Sequence, residues 1–173
     1  MYSKGQTLIE LIVVISISII VVGALVFATI ASLRNAQFSK YQAQATKLAQ
    51  EGIEKVRSAR DRNANINSLS VNVVNWNGTD SLGTGSIWNY SISSNCVPTC
   101  YFIFPDSSLT LLNIAGTGLA ESIPPSPAVA IFKRYVILSD GFNSTEKTVT
   151  VIVFWTDFSG SHQSQLSTVL GKL

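Results

Sequence analysis

The chain has 173 residues, enough for one domain with an appendage. Only 13% of its residues are charged and 46% are apolar, which excludes a disordered acidic or basic tail protein. The net charge of +2 is too small to imply nucleic acid by itself, and one His with two Cys excludes a multi-His or four-Cys zinc site, so no cofactor is expected.

The first element is apolar. Leu11 to Leu33 contains no charged residue. As a helix it spans roughly 34 Å at about 1.5 Å per residue, enough for a bilayer core. A cleaved secretory signal has a shorter apolar stretch of about 7–15 residues, although Lys4 supplies its positive start and Thr29-Ile30-Ala31 a weak cleavage site. A signal anchor fits the length. Neither explains Glu10, which sits between Leu8-Ile9 and Leu11-Ile12. A carboxylate in hydrocarbon costs about 2.5–3.5 kcal/mol on the lenient insertion scale, so such a residue has a partner or reaches water at the interface.

Lys4-Gly5-Gln6-Thr7-Leu8-Ile9-Glu10, followed by the apolar run, closely resembles the class III signal of type IV prepilins and their pseudopilin relatives. Gln6 stands where Phe or Met is commoner. The resemblance implies a leader 1–5, cleaved between Gly5 and Gln6 by a membrane-embedded prepilin peptidase, and N-methylation of the new terminus at Gln6. It implies that Glu10 pairs with the N-terminal amine of a neighbouring subunit during filament growth. It also implies an inner-membrane assembly platform, a membrane-held precursor, and other pilins as homo- or hetero-oligomeric partners. The expected fold is α+β and pilin-like: a long N-terminal helix packed on a C-terminal antiparallel sheet.

After Arg34 the helical period continues and the composition changes. Phe38, Tyr41, Ala45, Leu48, Ala49, Ile53, Val56 and Ala59 form one apolar stripe. Glu51 and Lys55 stand in the favourable i,i+4 order. One helix is predicted from about Leu8 to Arg62, divided into a transmembrane and polymerisation part, 6–33, and an amphipathic part, 34–62. No Pro interrupts it, and Gly23 is its weak point or a place of close helix packing. Segment 34–62 carries seven basic and three acidic residues, a net +4 that reads as a solvated face near headgroups rather than a nucleic-acid site.

Residues 63–173 form a β-rich head, with strands predicted at Leu69–Trp76, Ser86–Ser93, Tyr101–Phe104, Leu109–Ile114, Val129–Leu138, Lys147–Thr156 and Gln165–Leu170. The last three make an antiparallel meander, joined first through Asp140-Gly141. Ser122 to Pro127 is a rigid surface loop. Trp76, Trp88 and Trp155 are core or rim residues. For a head outside the cytoplasm, Cys96 and Cys100 are expected to close a small structural disulfide loop, contributing about 2 kcal/mol by chain entropy.

Other chemistry is weakly signalled. Asp157, Ser159, Ser161 and His162 are close in sequence but too turn-like for a triad. Gly116-Thr117-Gly118 lacks the context of a dinucleotide loop. Residues 140–146 carry oxygen ligands without the spacing of an EF-hand. Asn77, Asn89 and Asn143 begin inexpensive N-x-[ST] matches. The expected function is a structural subunit of a type IV pilus or pilin-like filament, not an enzyme. The alternatives are a pseudopilin of a secretion or DNA-uptake system, and a membrane-tethered extracellular binding module. A mere tether needs neither Gly5 nor Glu10.

Overall fold

A computed structural model describes residues 4–69, 72–76, 85–89, 100–104, 110–114, 120–123 and 131–173. One helix, α1, runs Lys4–Asp61. The chain divides into two compact units, Met1–Tyr41 and Gln42–Leu173.

The first unit is the N-terminal part of α1. The second joins the C-terminal part of α1 to an eight-stranded, mostly antiparallel sheet. The strands are β1 (Asn65–Leu69), β2 (Asn72–Asn75), β3 (Tyr101–Ile103), β4 (Leu111–Ile114), β5 (Glu121–Ile123), β6 (Phe132–Asp140), β7 (Glu146–Asp157) and β8 (Gly160–Gly171). Their order is β2-β1-β4-β3-β6-β7-β8, with β5 also on β6, and among these described pairs only β1–β4 is parallel. The α+β architecture expected from the sequence is present.

The helix ends for a local reason. Asn63 adopts a left-handed φ of 53°, the Ala64 N–H bonds to the Ala59 carbonyl at 2.8 Å, and the Asn63 N–H to the Arg60 carbonyl at 3.0 Å. That is the paired closure by which an αL residue satisfies the last carbonyls and turns the chain toward β1.

The packed face of α1 in the second unit is narrow and small. Ala45, Ala49, Ile53, Val56 and Ala59 are buried, at spacings of four and three. Opposite, the period of two in β7 buries Val149, Val151, Val153 and Trp155, while β6 buries Phe132, Arg134, Val136 and Leu138. Gly52 marks the closest approach. A Cβ there would lie 2.7 Å from a methyl of Val151 and 3.2 Å from Cδ of Arg134.

Arg134 is a cation on that buried face, only 1% exposed. Its Nε and Nη2 donate to the two oxygens of Glu121 on β5, each at 3.0 Å, and its Nη1 donates to the Leu48 carbonyl at 3.0 Å. Glu51 lies 3.6 Å from the same Nη1. The planar guanidinium thus ties helix, β5 and β6 together with its donors in a fixed fork. Lys147 is likewise buried, and its Nζ donates to Asp140 at 2.6 Å.

Three expectations need correction. The stretch Leu69–Trp76 is divided between β1 and β2, which form a hairpin. The predicted strand Ser86–Ser93 begins instead with a 3₁₀ turn, Ile87–Asn89. Ser86 Oγ donates to the Trp76 carbonyl at 2.9 Å and accepts the Trp88 N–H at 3.3 Å, a side-chain bond that competes with a ladder. Ser122 and Ile123 belong to β5, paired with Lys133 and Phe132, rather than to a loop. The meander is as expected, with β8 beginning at Gly160, earlier than its apolar pattern suggests. The loop 140–146 is its first connection: Gly141 N–H bonds to the Glu146 carbonyl at 3.0 Å, and a Cβ on Gly141 would sit 2.8 Å from that backbone.

Two substitutions test this packing. Gly52→Ala gains helix propensity of about 1 kcal/mol but must displace the buried Val151, so a net loss of about 1–2 kcal/mol is expected in thermal unfolding of the full chain in detergent. Arg134→Met leaves Glu121 without its cation and should cost about 3 kcal/mol, most of which returns when Glu121→Leu is added. Equal losses in the single and double variants would show that the ion pair is not what Arg134 contributes.

Candidate functional site

The first unit presents one continuous apolar surface. From Leu8 to Leu33 the large side chains are exposed all round the helix, Ile9 at 66%, Ile20 at 70% and Phe27 at 76%. The helix is long and apolar enough to cross a membrane, and its most apolar window buries nothing within the chain. Three of its hydroxyls are satisfied internally. Ser16 Oγ donates to the Ile12 carbonyl, Ser18 Oγ to Val14 and Thr29 Oγ1 to Val26, each at 2.8 Å. Back-bonding of this kind lets Ser and Thr sit in hydrocarbon without an unpaired donor.

Glu10 breaks the pattern. Its side chain is exposed on α1, and among the described residues it makes no hydrogen bond or ion pair. The backbone of Gly5 and Gln6 already belongs to α1, so Glu10 stands about one helical turn from Gln6. Gly23 faces open space: a Cβ there meets nothing within 4 Å.

The prokaryotic N-terminal methylation motif matches residues 1–26. The chain therefore carries the class III signal peptide of type IV prepilins and pseudopilins. No curated protein and no solved structure matches the chain. The prepilin signal implies processing by a prepilin peptidase, and with the apolar helix it fits a membrane-anchored precursor.

The second unit brings together residues that the sequence did not join. Asp157, Ser159 and His162 meet at the β7–β8 turn. Ser159 donates to Asp157 Oδ1 twice, from Oγ at 2.6 Å and from its backbone N–H at 2.7 Å. His162 Nε2 lies 3.0 Å from the same Oδ1 and 3.2 Å from Ser159 Oγ, with its ring 5.4 Å from that of Trp155. A proton relay needs acid and nucleophile on opposite ring nitrogens. Here both face Nε2, which makes the cluster a lock on the turn. A hollow of about 300 Å³ nearby is lined by Tyr135, Phe154, Ser161, His162 and Gln163.

Cys100 is buried beside β3, whereas Cys96 lies outside the described residues, as do Asn77 and Gly116 to Gly118. In the 140–146 loop the carboxylates are engaged by Lys147 and by the amide of Asn143, which donates to Glu146 at 3.3 Å. Among the described residues no group of three His, Cys, Asp or Glu is placed to hold a metal. Trp76 and Trp88 are buried with ring centroids 5.8 Å apart, and Trp155 is buried on β7.

Sequence reasoning missed Arg134, Glu121 and Lys147. Period-two counting flags two of them, since Arg134 falls on the face of Phe132 and Val136, and Lys147 on the face of Val149.

The turn has a pH signature. The Ser159 hydroxyl, helped by the Ser159 N–H and His162, holds the Asp157 carboxyl below its ordinary 3.8 against the opposing effect of burial. A lowered folded value means this stabilisation is complete above 3.8 and is lost as pH falls through the lower value. Protection of the Ser159 amide against hydrogen exchange should therefore persist at pH 4–7 and weaken below the ordinary carboxylate range. Asp157→Asn should weaken it at every pH and abolish the acid step.

Proposed function

We propose that this chain is a structural subunit of a type IV pilus or pilin-like filament, working by assembly rather than by catalysis. The observation that carries the reading is Glu10: a carboxylate exposed on a charge-free apolar helix, within the prepilin motif and without a partner among the described residues.

The mechanism follows from charge in a low-dielectric medium. Prepilin peptidase removes residues 1–5, and Gln6 becomes the methylated terminus. Helix 6–33 leaves the bilayer by packing on other such helices, helped at the assembly platform. In that core the Glu10 carboxylate pairs with the Gln6 amine of a neighbouring copy. A copy docked out of step leaves both charges unmatched, which penalises wrong register. The open space at Gly23 suits close approach of a neighbouring helix. Outside the cytoplasm, Cys96 and Cys100 close a loop beside β3.

The test is the intact mass and N-terminal sequence of the chain from sheared surface filaments and from membranes. The expected species in filaments starts at Gln6, carries one methyl group and is two hydrogens lighter than the reduced chain. A chain starting at Met1, or cut near Ala31, overturns the reading and favours a tethered or secreted binding module. Glu10→Ala should leave leader removal intact and lower filament yield at least about tenfold, as expected for an uncompensated charge. Filaments at the parental yield would remove the pairing role.

A further inference from the structure

Among the described residues, β8 is a long strand with a strand neighbour on one side only. It ends the path of described strands, and each of its residues from Gly160 to Gly171 has a partner on β7 without a register shift. Apart from His162 it holds no titratable residue, and it holds no Pro. Ser161, Gln163, Gln165, Ser167 and Val169 are exposed on the sheet face away from α1. Sheet edges are normally blunted by Lys, Pro, a bulge or a short strand, because their unpaired N–H and C=O groups invite another strand. Near its end β8 does have guards: Arg57 Nη2 donates to Thr168 Oγ1 at 3.4 Å and Arg60 Nη1 to the Gly171 carbonyl at 3.2 Å. Within Ser161–Ser167 the contact from α1 is between two neutral hydroxyls, Thr46 Oγ1 and Ser164 Oγ at 3.2 Å, and no Lys or Arg is seen against this stretch among the described residues.

The strand directions choose the partner. Counted from β8, antiparallel pairing reverses direction at β7, β6, β3 and β4, the parallel β4–β1 step keeps it, and β2 reverses it again. The two ends of the sheet therefore run in opposite directions. Two copies of the same polarity, laid side by side, bring β8 of one against β2 of the next in antiparallel sense, the better-paired arrangement. The join is heterologous, and a heterologous join whose rotation does not close repeats as an open assembly. Pairing of β8 with another β8 in antiparallel sense instead needs copies of opposite polarity. β2, Asn72-Val73-Val74-Asn75, is also free of charge and Pro.

We infer that the Ser161–Ser167 edge of β8 is a docking edge for β2 of a neighbouring copy, so that heads in the filament join by strand addition. This rests on the filament reading, which supplies copies of common polarity.

The experiment places the photo-reactive residue p-benzoylphenylalanine at Gln165 of the full chain, in cells producing a mixture of isotope-labelled and unlabelled copies. Adducts between labelled and unlabelled copies are mapped by mass spectrometry, and filaments are assayed separately by shearing. The expected adduct joins position 165 to the segment holding Asn72–Asn75 of another copy. The same probe at Ser139, on the interior strand β6, should not give it. With the probe moved to Gln163, Gln165→Lys together with Ser167→Lys should lower the yield of the β2 adduct about tenfold, as charge on an edge strand opposes pairing. Both positions are exposed, and unchanged thermal unfolding checks that the fold is kept. Filaments without the β2 adduct, or with an adduct onto β8 of another copy, overturn the edge pairing and leave the filament reading intact. Processed chain with neither filaments nor adduct overturns both. The adduct in membranes without filaments supports the edge and counts against the filament.

Discussion

A single hydrogen-bonded helix has to satisfy two different surroundings, and much else in this chain follows from that. Its backbone donors and acceptors are used within the helix from Lys4 to Asp61. Its side chains therefore carry the entire difference between the two units. Between Leu11 and Leu33 the large ones are apolar on every face, and the hydroxyls of Ser16, Ser18 and Thr29 turn back onto the helix. A helix apolar all round has no preferred face within one chain, and it finds a stable place only among lipids or other helices. From Ala45 to Ala59 the burial contracts to one stripe, which is the form a helix takes against a sheet.

The narrow stripe sets the rest of the second unit. Alanines and Gly52 on the helix let the β7 valines come close, so the interface is made by dense packing of small groups rather than by large side chains from α1. Dense packing fixes distance more firmly than position along the helix, because rows of alanines and valines resemble one another from turn to turn. Arg134 supplies what they lack. Its guanidinium is held by both oxygens of Glu121 on β5 and reaches the Leu48 carbonyl beside Glu51, a carboxylate that a slide of one turn would carry away.

Where a single local rule decided the outcome, the sequence was readable. The helix was legible in the unbroken period of 3.6, its end in Asn63, and the β6–β7–β8 meander in the alternation of Val149 to Trp155 and the Asp140-Gly141 turn. Where two rules competed, it was not. The segment from Ser86 has strand composition, but the Ser86 hydroxyl takes up the Trp88 N–H and a 3₁₀ turn results. β5 was hidden because its neighbours Pro124 and Pro125 signal a loop, while Glu121 is held in place by an arginine thirteen residues away. The first part of β8 was hidden because its helix-facing positions include His162 and Ser164, polar residues whose partners come from other elements: Thr46 for Ser164 and Asp157 for His162. Of the candidate site, Gly5, Gln6 and Glu10 were visible because the signal is contiguous. The Arg134 cluster was not, because its parts converge only on folding.

Arg134 and Glu10 are two answers to one electrostatic problem. Each is a full charge on an otherwise apolar surface, where an unmatched ion is costly and a matched one confers position. The chain matches Arg134 from its own residues, through Glu121 and Leu48, so that charge contributes to a fold complete in one copy. For Glu10 no described residue of the same chain provides a match, and the charge-free run that follows it, from Leu11 to Leu33, offers none. On the proposed reading the match is supplied by the amine that processing creates, on a different copy. A charge satisfied within the chain specifies a tertiary structure. On that reading, a charge left unsatisfied by the chain specifies a quaternary structure, and only after the leader has been removed. The proposed order would make cleavage a gate on assembly, since an uncleaved terminus would place its amine five residues away from where Glu10 of a neighbour would require it.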